Sequence, residues 1–451
     1  MTLNKFGVVL LALLLAAMAM VPMVSAEERF VSKGEILDME YLTDNPISEM
    51  RETLDSQATS GRLDTLSEYA LVTVDPKAFM DNADKKKQVA FTIKGTKYVL
   101  NLESIPSPID KNTNIYTEGP NGELKTDVPL MKTYKGSVKG IKKSDALFTV
   151  SNDVILGYIM IDETTYVLDQ MGPGLRNDGK TVHVIYNNAK KIVNPEAKVE
   201  DLDVHLTAEP AMTDARDSID LKKVAVAAST TSTTTIDLLV VVDSQFRQNF
   251  SDPIAEINNR ISAANSAFSP AEASFYVRSI RQDSSLTNTG TEGLLGDFRS
   301  AYSQKKVNDI CDVALLLTGK SLSGSLAGSY IYNGYTNAAW TVVQMVPRSS
   351  QGYSATPYQR SILITHELGH TVGALHIMPD GSQPSPLWAR PTSWADGSTT
   401  KYTVMSEYFR GDAQQLQFST SSWWPLGYHG DANHDNRKAI IEDKTTVAAF
   451  N

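Results

Sequence analysis

Cysteine is almost missing from this chain. Cys311 is the only one, so no internal disulfide can form, and stability must come from apolar burial or a bound ion. It sits just before the apolar run 313–317, which reads as core rather than as a reactive thiol. Clustered positive charge is missing too. Lys and Arg total 42 against 52 Asp and Glu, a formal charge of −10. Without a basic patch to neutralise phosphates, nucleic acid is not an expected partner. Long apolar runs occur only at the start, and no later segment is apolar over enough length to span a bilayer.

That first run has the parts of an export signal. Lys5 gives a positive start, residues 8–20 are apolar, and Val24-Ser25-Ala26 forms a small-residue cleavage site. Residues 1–26 are therefore expected to be a signal peptide. The mature protein would be secreted or held at the cell surface, with no membrane contact after removal; left uncut, the same run would be an anchor.

With 451 residues and 41% hydrophobic content, the chain can build two or three domains. Residues 70–170 show short alternating runs broken by turn residues, such as Val154-Ile155-Leu156-Gly157-Tyr158-Ile159, the signature of antiparallel β structure. From 187 to 223 the chain becomes charged and poor in aromatics, and it ends in the Ser/Thr-rich stretch 228–235, which cannot form a core. Strand and helix patterns then alternate: a buried-strand run at 236–242, apolar residues at helical spacing over 253–268, a strand at 274–280, a helix at 293–302, and strands at 313–317, 328–332 and 341–346. A further helix is expected from near Pro357. This order predicts an α/β (α+β) domain over 236–428, a twisted mixed sheet covered by helices.

That last helix carries His366-Glu367-Leu368-Gly369-His370-Thr371-Val372-Gly373-Ala374-Leu375-His376. Histidines at i and i+4 share one helix face, so both imidazoles can reach one ion. His376 cannot join them on a continuing helix, which would carry it roughly 15 Å along the axis. The chain must turn back, and Gly373 is the residue able to take the positive φ of such a turn. Three neutral imidazoles suit one catalytic Zn²⁺ with a position left for water. Glu367, off the ligand face, is placed as general base.

The spacing of these residues resembles the H-E-x-x-H-x-x-G-x-x-H motif of the metzincin zinc metallopeptidases. Thr403-Val404-Met405-Ser406, 29 residues beyond His376, is similar to the Met-turn of that clan, and the resemblance places Met405 as an apolar floor beneath the histidines. Within the clan, 233–410 is most similar to the reprolysin (adamalysin) family. Residues 70–170, with Tyr134-Lys-Gly-Ser-Val-Lys-Gly140 and Gly157-Tyr-Ile-Met-Ile161, resemble a reprolysin propeptide. The resemblance implies a propeptide over 27–227 that acts as inhibitor and folding aid, with cleavage expected in the exposed stretch 208–235. It also implies that protein or peptide substrates pair antiparallel to an edge strand near 326–332, with Gly328, Ser329 and Tyr330 in contact, and that Tyr408 helps to shape a pocket. The departures matter. Ile377 stands where the family has an acidic residue, no proline follows Met405, and the cysteine that blocks zinc in many family propeptides is absent. Cysteine-based latency is thereby excluded.

A second metal pattern closes the chain. Asp431, Asn433, Asp435, the Arg437 carbonyl and Glu442 have the 1-3-5-7-12 spacing of an EF-hand or half-dockerin loop, so residues 429–451 are a candidate Ca²⁺ segment. Asn436 replaces the usual glycine at position 6, and Ala439 offers no ligand at position 9. The sequence therefore points to a secreted zinc endopeptidase made as a zymogen. The competing reading is a non-catalytic surface or adhesion protein that keeps the zinc-binding fold, and against it stands Glu367, which a binding module would not need.

Overall fold

The computed structural model describes residues 40–41, 63, 66, 69–93, 96–119, 122–162, 164–177, 179–188, 203–206, 233–330, 339–348, 353–376, 388–396, 399–406, 414–421 and 430–450. In chain order they begin with β1 (Glu40–Tyr41), β2 (Tyr69–Thr73), α1 (Pro76–Lys86), β3 (Gln88–Ile93), β4 (Thr96–Ile105), β5 (Asn114–Gly119) and β6 (Gly122–Thr126). Then come β7 (Met131–Val138), β8 (Ser144–Ser151), β9 (Ile155–Ile161), β10 (Thr164–Gln170), β11 (Arg176–Asn177), β12 (Lys180–Asn187) and β13 (Asp203–Leu206). The second half holds β14 (Thr234–Val242), α2 (Ser244–Asn249), α3 (Pro253–Phe268), β15 (Ala273–Gln282), α4 (Thr291–Asn308), β16 (Val313–Thr318), β17 (Ala327–Tyr330) and β18 (Trp340–Gln344). It closes with α5 (Pro357–Thr371), β19 (Ser393–Asp396), β20 (Thr399–Tyr402) and α6 (Asn436–Val447).

The alternating runs of the first half build an antiparallel sheet in the order β1-β2-β12-β10-β9-β8-β7-β4-β3, with β11 beside β12. One face packs on α1. Asp75 caps that helix by accepting from the Ala78 amide, and Pro76 supplies a preset φ at its first turn. Phe79 then sits 5.7 Å from the Tyr134 ring and 5.3 Å from the Phe148 ring, centroid to centroid, in the core of this sheet.

The second sheet has the mixed α/β form expected from the alternation, in the order β13-β17-β18-β16-β14-β15-β5-β6. Strands β14, β15, β16 and β18 run parallel, and β17 lies antiparallel to β18. Strand β14 reads Ile-Asp-Leu-Leu-Val-Val-Val because both its faces are covered. Helices α3, α5 and α6 pack on one side through Ile257, Ile261, Ile362 and Ile440, and α4 covers the other with Leu294, Leu295 and Phe298.

Two features of this sheet were not visible in the sequence. The hairpin β5–β6, taken from the middle of the N-terminal region, joins it beside β15 in parallel register, Ile280 opposite Ile115. Strand β13 joins at the far side, parallel to β17 with Asp203 opposite Ala327 and Leu206 opposite Tyr330. Strand β17, expected as an edge open to substrate, is therefore flanked on both sides. Among the described residues no helix is long and apolar enough to cross a membrane.

Candidate metal centre

Helix α5 starts where Thr356 accepts from the Gln359 amide and Pro357 opens the first turn. Nearly every residue along it is buried, including its polar ones. Arg360 shows how charge is accommodated there. It donates to Glu256 of α3 at 2.8 Å and to both Asp169 oxygens at 3.0 and 3.2 Å. Arg260 reaches the same Glu256 oxygen at 3.0 Å, so two guanidiniums meet two carboxylates in the interior. Burial alone would push the Arg360 pKa down, yet Asp169 and Glu256 hold it above the usual value.

Two turns further, His366 and His370 project from one face, with ring centroids 4.7 Å apart. The helix stops at Thr371. Gly373 takes φ +89°, the Ala374 amide returns to the Gly369 carbonyl at 2.9 Å, and His376 is carried back to 5.3 Å from His366 and 5.0 Å from His370. The turn assigned to Gly373 is thus present. One nitrogen from each ring lies within 4.8 Å of the others, and all three residues are buried. Among the described residues this is the one cluster of three or more His, Cys, Asp or Glu side chains able to hold a metal ion.

The chemistry of the donors fits such an ion. Nδ1 of His366 bonds the Val404 carbonyl at 2.8 Å, and Nδ1 of His370 bonds the Ala374 carbonyl at 3.0 Å. Carbonyls only accept, so both Nδ1 atoms carry the proton and both Nε2 lone pairs point inward. Those two Nε2 atoms are 3.0 Å apart. Two lone pairs at that range repel unless a cation lies between them, and tetrahedral zinc sets its nitrogens about 3.3 Å apart.

Met405 is fully buried below the helix. A Cβ on Gly369 would come within 2.7 Å of the Met405 sulfur and 3.1 Å of the Phe418 ring. The glycine between the histidine pair is what lets Met405 and Phe418 approach, a role not visible in the sequence. Glu367 is also buried. The Ser329 hydroxyl donates to its carboxylate and lies 3.0 Å from the Thr341 hydroxyl. Ser329 and Tyr330 were expected to touch substrate. Both are buried in β17 beside Gly328, and Ser329 is directed at the carboxylate expected to act as base. Tyr408 lies outside the described residues, as do residues 1–39 and the stretch 207–232.

The calcium pattern is not assembled. Helix α6 already begins at Asn436, the sixth position of the expected loop, so the Arg437 carbonyl falls inside a helical turn. Asp435 caps the helix through the Lys438 amide at 2.9 Å and also accepts from Ser421. Asp431 accepts from the Asn433 amide at 2.7 Å and from His434 at 2.8 Å. Glu442 faces Lys438 at 3.9 Å along the helix. Helix capping and local turns engage these carboxylates, and among the described residues they do not gather into a cluster of three.

No curated protein matches the chain. Among solved structures, a metalloproteinase-II from Bacteroides fragilis is similar over 84% of this chain and 93% of its own, at 10% identity and a TM-score of 0.43. A structure of a chaperone–substrate complex is similar over 78% of this chain at 12% identity and a TM-score of 0.38; this chain spans 43% of that one. Residues 232–419 match the family model Reprolysin_5, metallo-peptidase family M12. That match spans the converging histidines, Glu367 and Met405, and it supports a metallopeptidase family for this part of the chain.

Proposed function

We propose that the protein is a secreted zinc endopeptidase of metzincin type, made as a zymogen. The observation that carries the reading is the convergence of His366, His370 and His376 beside Glu367 within a segment matched by a metallopeptidase family. Zinc held by the three imidazoles would polarise a peptide carbonyl and lower the pKa of a water. Glu367 takes the proton from that water and returns it to the leaving amine. The Ser329 hydroxyl holds the carboxylate in place for both transfers. Met405 and Phe418 keep water from beneath the histidines.

Latency in this reading does not need a thiol. A substrate strand would dock by backbone pairing along β17, and β13 already pairs there, running parallel rather than antiparallel. Entry of substrate then requires residues 203–206 to leave. Cleavage in 208–235 would release that strand, and export would follow from the signal at 1–26.

The test uses the full chain nicked by trypsin, for which Lys222 and Lys223 are sites, beside Glu367→Ala treated alike. Both should hold about one zinc, and casein hydrolysis should fall about 10²–10⁴-fold in the variant. Zinc in both with no cleavage of any of a broad protein set by the wild type would favour a non-catalytic surface protein. A folded wild type without zinc would remove the histidine assignment.

A further inference from the structure

The third histidine has an unusual support. His366 and His370 are held by a helix, whereas His376 follows the turn at Gly373. Its neighbour Leu375 is tied to α6. The Leu375 amide donates to Oδ1 of Asn436 at 2.9 Å, and Nδ2 of Asn436 donates to the Leu375 carbonyl at 3.1 Å. One side-chain amide thus satisfies both backbone groups of the residue before the ligand, as a neighbouring strand would. The second of these bonds fixes the peptide plane that leads into His376.

Asn436 is itself immobilised. It is fully buried at the start of α6, and its amide donates to the Ser419 hydroxyl at 2.9 Å. The same face of α6 continues along the turn, as residues three and seven positions apart do on a helix. Ala439 packs against Leu375 with Ala389 and Trp388. Asp443 closes over Gly373, where an added Cβ would collide with its carboxylate. The helix is anchored from behind by Lys444, which donates to the Ala271 carbonyl at 2.9 Å and the Glu272 carbonyl at 3.0 Å. Arg437 does the same to the Pro270 carbonyl at 2.6 Å.

We propose that α6 is a bracket for the metal centre and that Asn436 is a positioning residue for His376, holding it through both backbone groups of Leu375. This rests on the three histidines binding a metal. A serine or alanine at 436 could not make both bonds. An aspartate would keep the acceptor for the Leu375 amide but would set an oxygen against the Leu375 carbonyl.

Cobalt(II) is the probe, because its visible bands report coordination geometry. Full-length wild type, Asn436→Ala, Asn436→Asp and Glu442→Gln, the last on the exposed side of α6, are stripped of metal and titrated with cobalt against a chelator. Both Asn436 variants should bind about 10- to 100-fold more weakly, and at saturating cobalt their bands should shift and lose intensity. Glu442→Gln should match wild type in both respects. Melting of the metal-free proteins shows which variants are folded, and Asn436→Asp, which keeps the shape and one bond, stands in if the alanine variant does not fold. Wild-type affinity within twofold and an unchanged spectrum in a folded Asn436 variant would overturn the proposal while leaving the proposed function intact. A wild type that takes up no cobalt would overturn both.

Discussion

The two metal patterns in this chain, His366–His376 and Asp431–Glu442, are comparable as strings and opposite in outcome. The histidine pattern converges because its spacing matches the period of the structure that carries it. An i, i+4 pair converges on any intact helix, and one glycine brings the third ligand home. The carboxylate pattern needs a loop that stays open to about its ninth position. Here Asp435 is a strong helix cap, and Asn436 is followed by Arg-Lys-Ala-Ile-Ile-Glu, a run that suits a helix, so α6 forms early. The acidic side chains then cap and flank a helix instead of gathering at one point. Spacing is evidence for a metal site only when the backbone between the ligands has no better use for them.

Chelation would separate the two patterns most widely. A zinc-selective chelator should lower stability by about 3–4 kcal/mol if the site is occupied at 100 to 1,000 times its Kd. A calcium-selective chelator should change it by less than about 0.5 kcal/mol. Thermal melts in each chelator, with the ion restored afterwards, give the comparison, and a large calcium effect would reinstate the loop. Next in size is Gly373→Ala. It would force a Cβ into positive φ and against Asp443, so a loss of about 1–3 kcal/mol is expected together with weaker metal binding. The same change at Gly430, beside the carboxylate pattern, also crowds backbone but should leave zinc content unchanged.

The smallest effect concerns the carboxylate that links the two regions. Burial, helped by the nearby Glu442 charge, pushes the Asp443 pKa up to about 6. A folded pKa above the unfolded one means that the folded state holds this proton more tightly. Its stabilising contribution is complete below about pH 4 and is lost as pH rises through 6. Asp443→Asn should remove that loss, raising stability at pH 7 by about 1–2 kcal/mol after allowance for its partial exposure, with little change near pH 4. Urea denaturation at both pH values checks the sign.

Much of this molecule could be read from its residues. Strand β14, helix α3 and strand β16 were legible because each buries an uninterrupted or helically spaced apolar set. The helix start at Pro357 and the turn at Gly373 were legible because proline and glycine have narrow backbone roles. Partnership between distant segments was not. Asn114-Ile-Tyr-Thr-Glu-Gly alternates like its neighbours in sequence, and nothing local assigns it to the sheet of β15 instead of the sheet of β4. Asn436 looked like a flawed calcium position because its partner, Leu375, lies 61 residues away. Gly369 passed as spacing because the methionine it admits is on another segment.

The hairpin β5–β6 also decides where the chain can be divided. A protein begun at residue 233 would lack the strand that pairs with Ser279, Ile280 and Arg281 of β15, as well as Glu123, which binds Arg281 and Lys305. It would lack Asp169 beside Arg360 on the histidine helix as well. Such a fragment would carry a raw sheet edge ready to pair with other copies of itself. Aggregation of the truncated chain would therefore report a missing strand and would say nothing about whether the histidine centre is sound.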